Sequence, residues 1–300
     1  MHHTGLSVTI AAMRILITGD LHYNITRSKQ PTEAVARKIC QDGGDVLLLL
    51  GDLAGTDLDV LEQVFELFEG FRGQRLFVAG NHDLWTPRGG DSLARYRDEL
   101  PAVCRACGVH ALDIAPWMNG DVAIAGTVGW YDYTFRPASM RIPLRFYQHK
   151  IAPGSASANP DFVHLLERRD DIPPEALDLA CHWMDGEHIR MELSDVEFVR
   201  ETLASLRGQL EQTSRAKTVV VGMHHLPLFE LVPQVESAAL RFANAFLGSE
   251  LFGETILEFP NVRHVFCGHS HHYACCRRGP VTATSIGVTY KEKRYEVLEV

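Results

Sequence analysis

The chain has 300 residues, 46% of them hydrophobic and 22% charged, a balance that excludes a disordered, collagen-like or coiled-coil protein. At this length about three-quarters of the surface is buried on folding, so neither disulfides nor a structural metal is needed to hold a core. The 29 basic and 38 acidic residues leave a net charge of −9, which argues against a sequence-independent nucleic-acid coat, because such proteins bind by neutralising phosphates with Lys and Arg.

The first twelve residues, MHHTGLSVTIAA, lack a charged start and a long apolar stretch. Residues 1–12 are therefore expected to be a disordered extension ahead of Met13, with Met1 or Met13 as the start. Arg14–Thr18 reads as a strand and Pro31–Gln41 as a helix with its proline early. Asp45–Leu50 is an apolar run expected of a strand covered on both faces. Asp59–Glu69, with Leu61, Val64, Phe65 and Phe68 at helical spacing, reads as a helix, Arg75–Ala79 as a strand, and Asp91 or Ser92 as the cap of a helix toward Cys104. Strands about thirty residues apart with helices between them are βαβ units. A second series of strands is predicted at Asp121–Gly126, Thr218–Gly222, Arg263–Cys267, Val281–Ile286 and Tyr295–Val300, the last two with the look of antiparallel strands. No apolar run is long enough to span a bilayer.

Between the series, residues 134–195 are interrupted by prolines from Pro143 to Pro174 and read as an insertion or lid over one face of a single domain spanning 13–300. The helical pattern resumes over Ser194–Gln212. Within the insertion Arg136, Arg141, Arg145 and Lys150 are interleaved with Phe135, Phe146 and Tyr147. That mixture could hold a phosphate and stack a base, but the preferred reading is a solvated lid whose aromatics pack on the sheet. Trp130, Tyr131 and Tyr133 are candidates for the same mouth. His149, His164, His182 and His188 show no metal-like spacing and read as ordinary polar residues. Cys104 and Cys107 form one CxxC with no second pair, and Cys275 and Cys276 are vicinal. An odd total of seven cysteines fits a reducing, cytoplasmic setting better than a disulfide framework.

Polar clusters follow five of these strands: Gly19-Asp20-Leu21-His22, Gly51-Asp52, Gly80-Asn81-His82-Asp83, His224-His225 and Gly268-His269-Ser270-His271-His272. Each alone has an ordinary reading as turn chemistry or a solvated histidine run. Together they would converge, because open α/β sheets bind ligands at the carboxyl ends of their strands. Carboxylate oxygen with imidazole nitrogen suits Mn, Fe, Zn or Ni. Seven such ligands exceed what one ion takes from protein and suit two ions sharing a bridging carboxylate.

The ordered set DxH, GD, GNHD, H and GHxH, spanning residues 20 to 271, resembles that of the calcineurin-like metallophosphoesterase family. The resemblance implies an α/β fold, a four-layer α/β/β/α sandwich of two mixed sheets. It assigns Asp20, His22 and His271 to one divalent ion and Asn81, His224 and His269 to a second, with Asp52 bridging and manganese favoured. His224 is preferred to His225 as the residue at the strand's end, and His272 lies beyond the motif. The implied reaction is hydrolysis of a phosphodiester or monoester by a hydroxide held between the ions, with His82 as general acid and Asp83 orienting its imidazole. The substrate would be a small phosphorylated molecule, a nucleotide among the candidates, with neither membrane nor nucleic acid as partner. The family's serine/threonine protein phosphatases carry GDxVDRG and RGNHE. Here the text is GDLAGTD and AGNHD, which is similar instead to bacterial phosphodiesterases. The alternative is a non-catalytic scaffold of the same fold that binds a protein partner. Scaffolds of this kind have generally lost a ligand or the GNH histidine, and this chain keeps all eight residues. Nothing in the sequence sets the oligomeric state.

Overall fold

The computed structural model describes residues 12–300, so all but the last residue of the expected 1–12 extension lies outside the described residues. The elements are β1 (Arg14–Thr18), α1 (Thr26–Asp42), β2 (Val46–Leu50), α2 (Leu58–Leu67) and β3 (Gln74–Val78), then α3 (Ser92–Ala94), a π-helical turn at Arg95–Glu99, α4 (Leu100–Ala106), β4 (His110–Ala111), β5 (Trp117–Asn119) and β6 (Val122–Thr127). The segment that follows holds α5 (Leu144–Gln148), α6 (Pro153–Ser157) and α7 (Asp185–His188). The chain closes with α8 (Asp195–Gln212), β7 (Thr218–Met223), α9 (Ala238–Ala243), α10 (Glu250–Leu257), β8 (Val262–Cys267), β9 (Tyr273–Arg278), β10 (Val281–Ile286) and β11 (Glu296–Glu299).

Two mixed sheets result, in the orders β11-β1-β2-β3-β4 and β5-β6-β7-β8-β10-β9. Strand alternation sorts the apolar side chains into layers. Ile15, Ile17, Val46, Leu48, Leu50 and Val78 of the first sheet meet Ile124, Val220, Phe266 and Ile286 of the second in a core between the sheets. Their neighbours Leu16, Leu47, Leu49 and Phe77 pack with Ile39, Phe65 and Phe68 of the flanking helices, and Phe198, Leu206 and Leu210 of α8 cover the second sheet. The order is helices, sheet, sheet, helices. A capping box starts α8: the Ser194 hydroxyl accepts the Glu197 N–H while the Glu197 carboxylate accepts the Ser194 N–H. Such a cap is worth about 1 kcal/mol. Among the described residues no helix is long and apolar enough to cross a membrane.

Two expectations change. The helix expected from Pro31 starts five residues earlier, at Thr26, and carries Pro31 inside it, where a proline has no N–H to donate. The last two expected strands do not share a sheet. β10 runs parallel to β8 and antiparallel to β9, while β11 closes the far edge of the other sheet against β1. The basic stretch of 134–195 divides: Arg136 and Arg141 are exposed and line a cavity with Tyr147, while its other two residues are tied to acidic partners. Lys150 donates to Asp195 at 2.6 Å, and Arg145 makes a two-pronged pair with Asp171 at 2.7 Å. Arg136 donates to the Tyr133 carbonyl. Phe135, Phe146 and Tyr147 are buried in the same hydrophobic cluster as the helices.

Candidate metal centre

Parallel strands β1, β2, β3, β7 and β8 end side by side, and the loops leaving them place Asp20, His22, Asp52, Asn81, His82, His224, His269 and His271 around one point. The backbone is forced there. Asp20, His22, Asp52, His269 and His271 all have φ between 43° and 66°, a left-handed conformation that costs a non-glycine residue of order 1–3 kcal/mol and persists where the surroundings over-determine it. Two glycines make room. A Cβ on Gly80 would collide with the Asp52 carboxylate, and one on Gly268 with the Asp20 carboxylate.

The described residues form three overlapping groups with ligand atoms mutually within 4.8 Å: Asp20–His22–His271, His22–Asp52–His82 and Asp52–His224–His269. On one side Nε2 of His224 lies 3.1 Å from Oδ1 of Asn81, 3.1 Å from Nδ1 of His269 and 3.4 Å from Oδ1 of Asp52. On the other, Oδ2 of Asp52 faces Nε2 of His22 at 3.6 Å. Asp52 thus turns one oxygen to each group. The histidines are aimed from behind, as metal-binding imidazoles are. Nδ1 of His224 donates to the Leu50 carbonyl at 2.8 Å, Nδ1 of His271 to Val288 at 2.6 Å, and Nε2 of His269 to Phe246 at 3.2 Å. That leaves the opposite nitrogen of each ring facing the centre. Both ring nitrogens of His22 are buried without a hydrogen-bond partner.

Charge is unevenly shared. Burial opposes ionisation of Asp52, yet the charge of His224 beside it, with His82 and His22, holds its carboxyl well below the ordinary range. Burial likewise disfavours a charged His224, but Asp52 lifts it to about 9. Burial pushes His22 and His269 well below their usual range, and raises Asp20. A cluster of converging ring nitrogens, with His22 and His269 disfavoured as cations and two buried carboxylates beside them, fits divalent cations, which satisfy all of these atoms at once.

His225 turns away: its Nδ1 donates to the Val128 carbonyl at 2.9 Å, and it joins none of the three groups. His272 is exposed. Asp83 does not reach the His82 imidazole as expected. Its carboxylate accepts the backbone N–H groups of Asp52, Gly80, Leu53 and Ala54 at 2.8–3.2 Å, and the buried Nδ1 of His82 has no partner. The His82 ring is held by stacking on Trp85, with centroids 3.7 Å apart.

A cavity of about 330 Å³ opens over the cluster, walled by His82, Trp85, His182, Trp183, Met184 and Tyr290 among others. Sequence reasoning overlooked Trp183, Asp185 and Tyr290 because no spacing links them to the strand-end motifs. It also set aside two histidines with a place here: His182 lines the cavity, and His188 stacks on the far face of Trp85 at 4.3 Å. Trp130, Tyr131 and Tyr133, expected at the mouth, are buried behind it.

The calcineurin-like phosphoesterase family model matches residues 13–273. No curated protein matches the chain. Among solved structures, phosphopantetheinyl hydrolase from Mycobacterium tuberculosis superposes with a TM-score of 0.67 at 20% identity, covering 94% of this chain and 91% of that one. A dimetal phosphatase from Danio rerio gives 0.53 at 11% identity, covering 96% and 92%. TT1561 of Thermus thermophilus gives 0.50 at 13%, covering 96% and 99%. At such identities these likenesses show the fold, which is the expected pair of mixed sheets between helices. The family is dinuclear-metal dependent, and the strand-end cluster is a candidate for that centre. The family match over most of its length makes the chain a calcineurin-like phosphoesterase.

Proposed function

We propose that the protein hydrolyses small phosphodiesters at a two-metal centre. Asp20, His22 and His271 would hold one ion and Asn81, His224 and His269 the other, with Asp52 shared and manganese favoured. The observation that carries this is the division of Asp52, one oxygen toward His224 and one toward His22. When bound, two divalent ions supply a strong nucleophile from water at neutral pH and neutralise the phosphoryl oxygens. Nε2 of His82 faces Oδ2 of Asp52 across 3.9 Å, and this imidazole would give a proton to the leaving oxygen as general acid. Trp85 keeps that ring in place from below. Asn81 would help hold the second ion through Oδ1. Trp183, Met184 and Tyr290 exclude water from the cavity roof. We read residues 134–195 as part of the one domain, supplying that roof.

A diester is favoured over a monoester by charge. Among the described residues, those lining the cavity include no arginine or lysine, so the metals would supply the fixed positive charge that meets a phosphate. A diester brings one negative charge, whereas a monoester brings nearly two near neutral pH. The seven free cysteines support a reducing, cytoplasmic setting.

The test is hydrolysis of bis(p-nitrophenyl) phosphate against p-nitrophenyl phosphate by chelator-stripped protein resupplied with Mn²⁺. Metal-dependent cleavage favouring the diester is expected. A monoester preference would overturn the charge argument. Two bound ions with no turnover of either ester, or of a phosphopantetheinyl ester suggested by the name of the Mycobacterium relative, would favour a scaffold.

A further inference from the structure

Asp185 opens α7, far in sequence from every strand-end motif, yet its carboxylate sits against the metal cluster. It is 1% exposed. Oδ1 accepts Nδ2 of Asn81 at 2.8 Å and Nε1 of Trp85 at 2.7 Å, while Oδ2 accepts the Tyr131 hydroxyl at 2.9 Å and Nε1 of Trp183 at 2.8 Å. All four donors are neutral. A buried carboxylate with no cationic partner is costly, and simple packing of two tryptophans and a tyrosine does not call for one.

What the carboxylate controls is orientation. An asparagine amide can present either end to its surroundings. Because Nδ2 of Asn81 is held by Asp185, Oδ1 must point the other way, toward Nε2 of His224 at 3.1 Å. The second contact on Oδ1 fixes the indole of Trp85, one face of which stacks under His82 and the other on His188. One side chain therefore sets both the ligand atom offered to the second ion and the platform beneath the proposed acid.

We propose that Asp185 is a positioning residue of the metal centre, locking the amide of Asn81 toward the second ion and the indole of Trp85 beneath His82. This rests on the two-metal reading above, but its readout is metal binding and not turnover. In Asp185→Asn an amide N–H must face one pair of donors, so the array cannot be satisfied as before. Partners that orient metal ligands from behind are typically worth 10–100-fold in affinity. Titration of chelator-stripped full-length protein with Mn²⁺, followed by calorimetry and electron paramagnetic resonance, should show one site unchanged and the other weakened by that factor. The signal of a coupled manganese pair should give way to that of isolated ions at equal loading. In an Asn81→Ala background, Asp185→Asn should cost no further second-ion affinity, because both substitutions act on one contact. If Asp185→Asn fails to fold, Asp185→Glu, which displaces the carboxylate by one methylene, should give the same selective loss. Unchanged affinity at both sites, or equal weakening at both alongside a lowered Tm, would overturn the proposal. A wild-type protein that binds two ions but cleaves nothing would remove the hydrolase reading and leave this one standing.

Discussion

The carboxylate of Asp83 accepts the backbone N–H of Asp52 at 2.8 Å, tying the β3 loop to the β2 loop across 31 residues of sequence. Three further N–H groups, of Gly80, Leu53 and Ala54, end on the same side chain. Asp83 therefore shapes the turn that holds Asp52 in its left-handed conformation, with φ of 52°.

From this, Asp83→Ala should be strongly destabilising. It strands four buried N–H groups, each worth about 1–3 kcal/mol when left unpaired, so a loss of about 4 kcal/mol or more is expected in urea unfolding of the metal-free protein. Metal affinity should fall with it. Wild-type stability and metal content with reduced turnover alone would mean that Asp83 serves the His82 ring instead.

Asp52 and His82 should separate cleanly. Asp52→Ala removes the one carboxylate that faces both ligand groups, so both ions and activity should be lost together. His82→Ala leaves all seven ligand candidates in place and should retain two ions per chain by elemental analysis. Its kcat should drop by about 10²–10⁴-fold, the usual worth of general acid catalysis. The drop should shrink for esters with good leaving groups, which need little protonation. Asp52→Ala protein with normal activity would sink the two-metal reading.

Lys150 is expected to serve stability. Its ammonium pairs with Asp195 at 2.6 Å, and the same carboxylate accepts Nε1 of Trp130 at 2.8 Å and the Tyr133 hydroxyl. Lys150→Met leaves that charge buried without its cation, which typically costs about 3–5 kcal/mol. The expected result is a lower unfolding midpoint with KM unchanged. A KM effect at unchanged stability would return the basic stretch to the substrate.

The strand-end motifs were legible because their continuous apolar runs and their turn chemistry are local, and a shared sheet edge then brings distant loops together without further information. Two kinds of feature were not. Edge strands β4, β5 and β9 are short or alternate with exposed polar residues, so they carry no apolar signal. Asp185, Trp183 and Tyr290 reach the site through the path of 134–195 and of the C-terminal loop, which tertiary packing decides. Lys150 and Arg145 read as a basic stretch for the same reason: their acidic partners, Asp195 and Asp171, lie 45 and 26 residues away. Asp83 was assigned to its sequence neighbour, His82, when its hydrogen bonds run mostly to another loop.

Asp113 offers a test by pH. Its carboxylate joins the ends of two sheets, accepting the Ala79 N–H from the β3 side at 2.8 Å and the Val128 N–H from the β6 side at 2.6 Å, and the Tyr96 hydroxyl at 3.0 Å. Burial outweighs these donors and raises its carboxyl from 3.8 to about 6. The unfolded chain loses this proton near 3.8, while the folded chain keeps it to about 6. Folding is therefore favoured by the extra proton below that window, and the contribution is lost as pH rises through it. At 1.36 kcal/mol per pH unit the effect is at most about 3 kcal/mol. Asp113→Asn cannot titrate, so the unfolding free energy of metal-free wild type should fall relative to that of the variant between pH 4 and pH 6 and run parallel above pH 7. Parallel curves throughout would show that the three donors, and not burial, set the ionisation of this carboxyl.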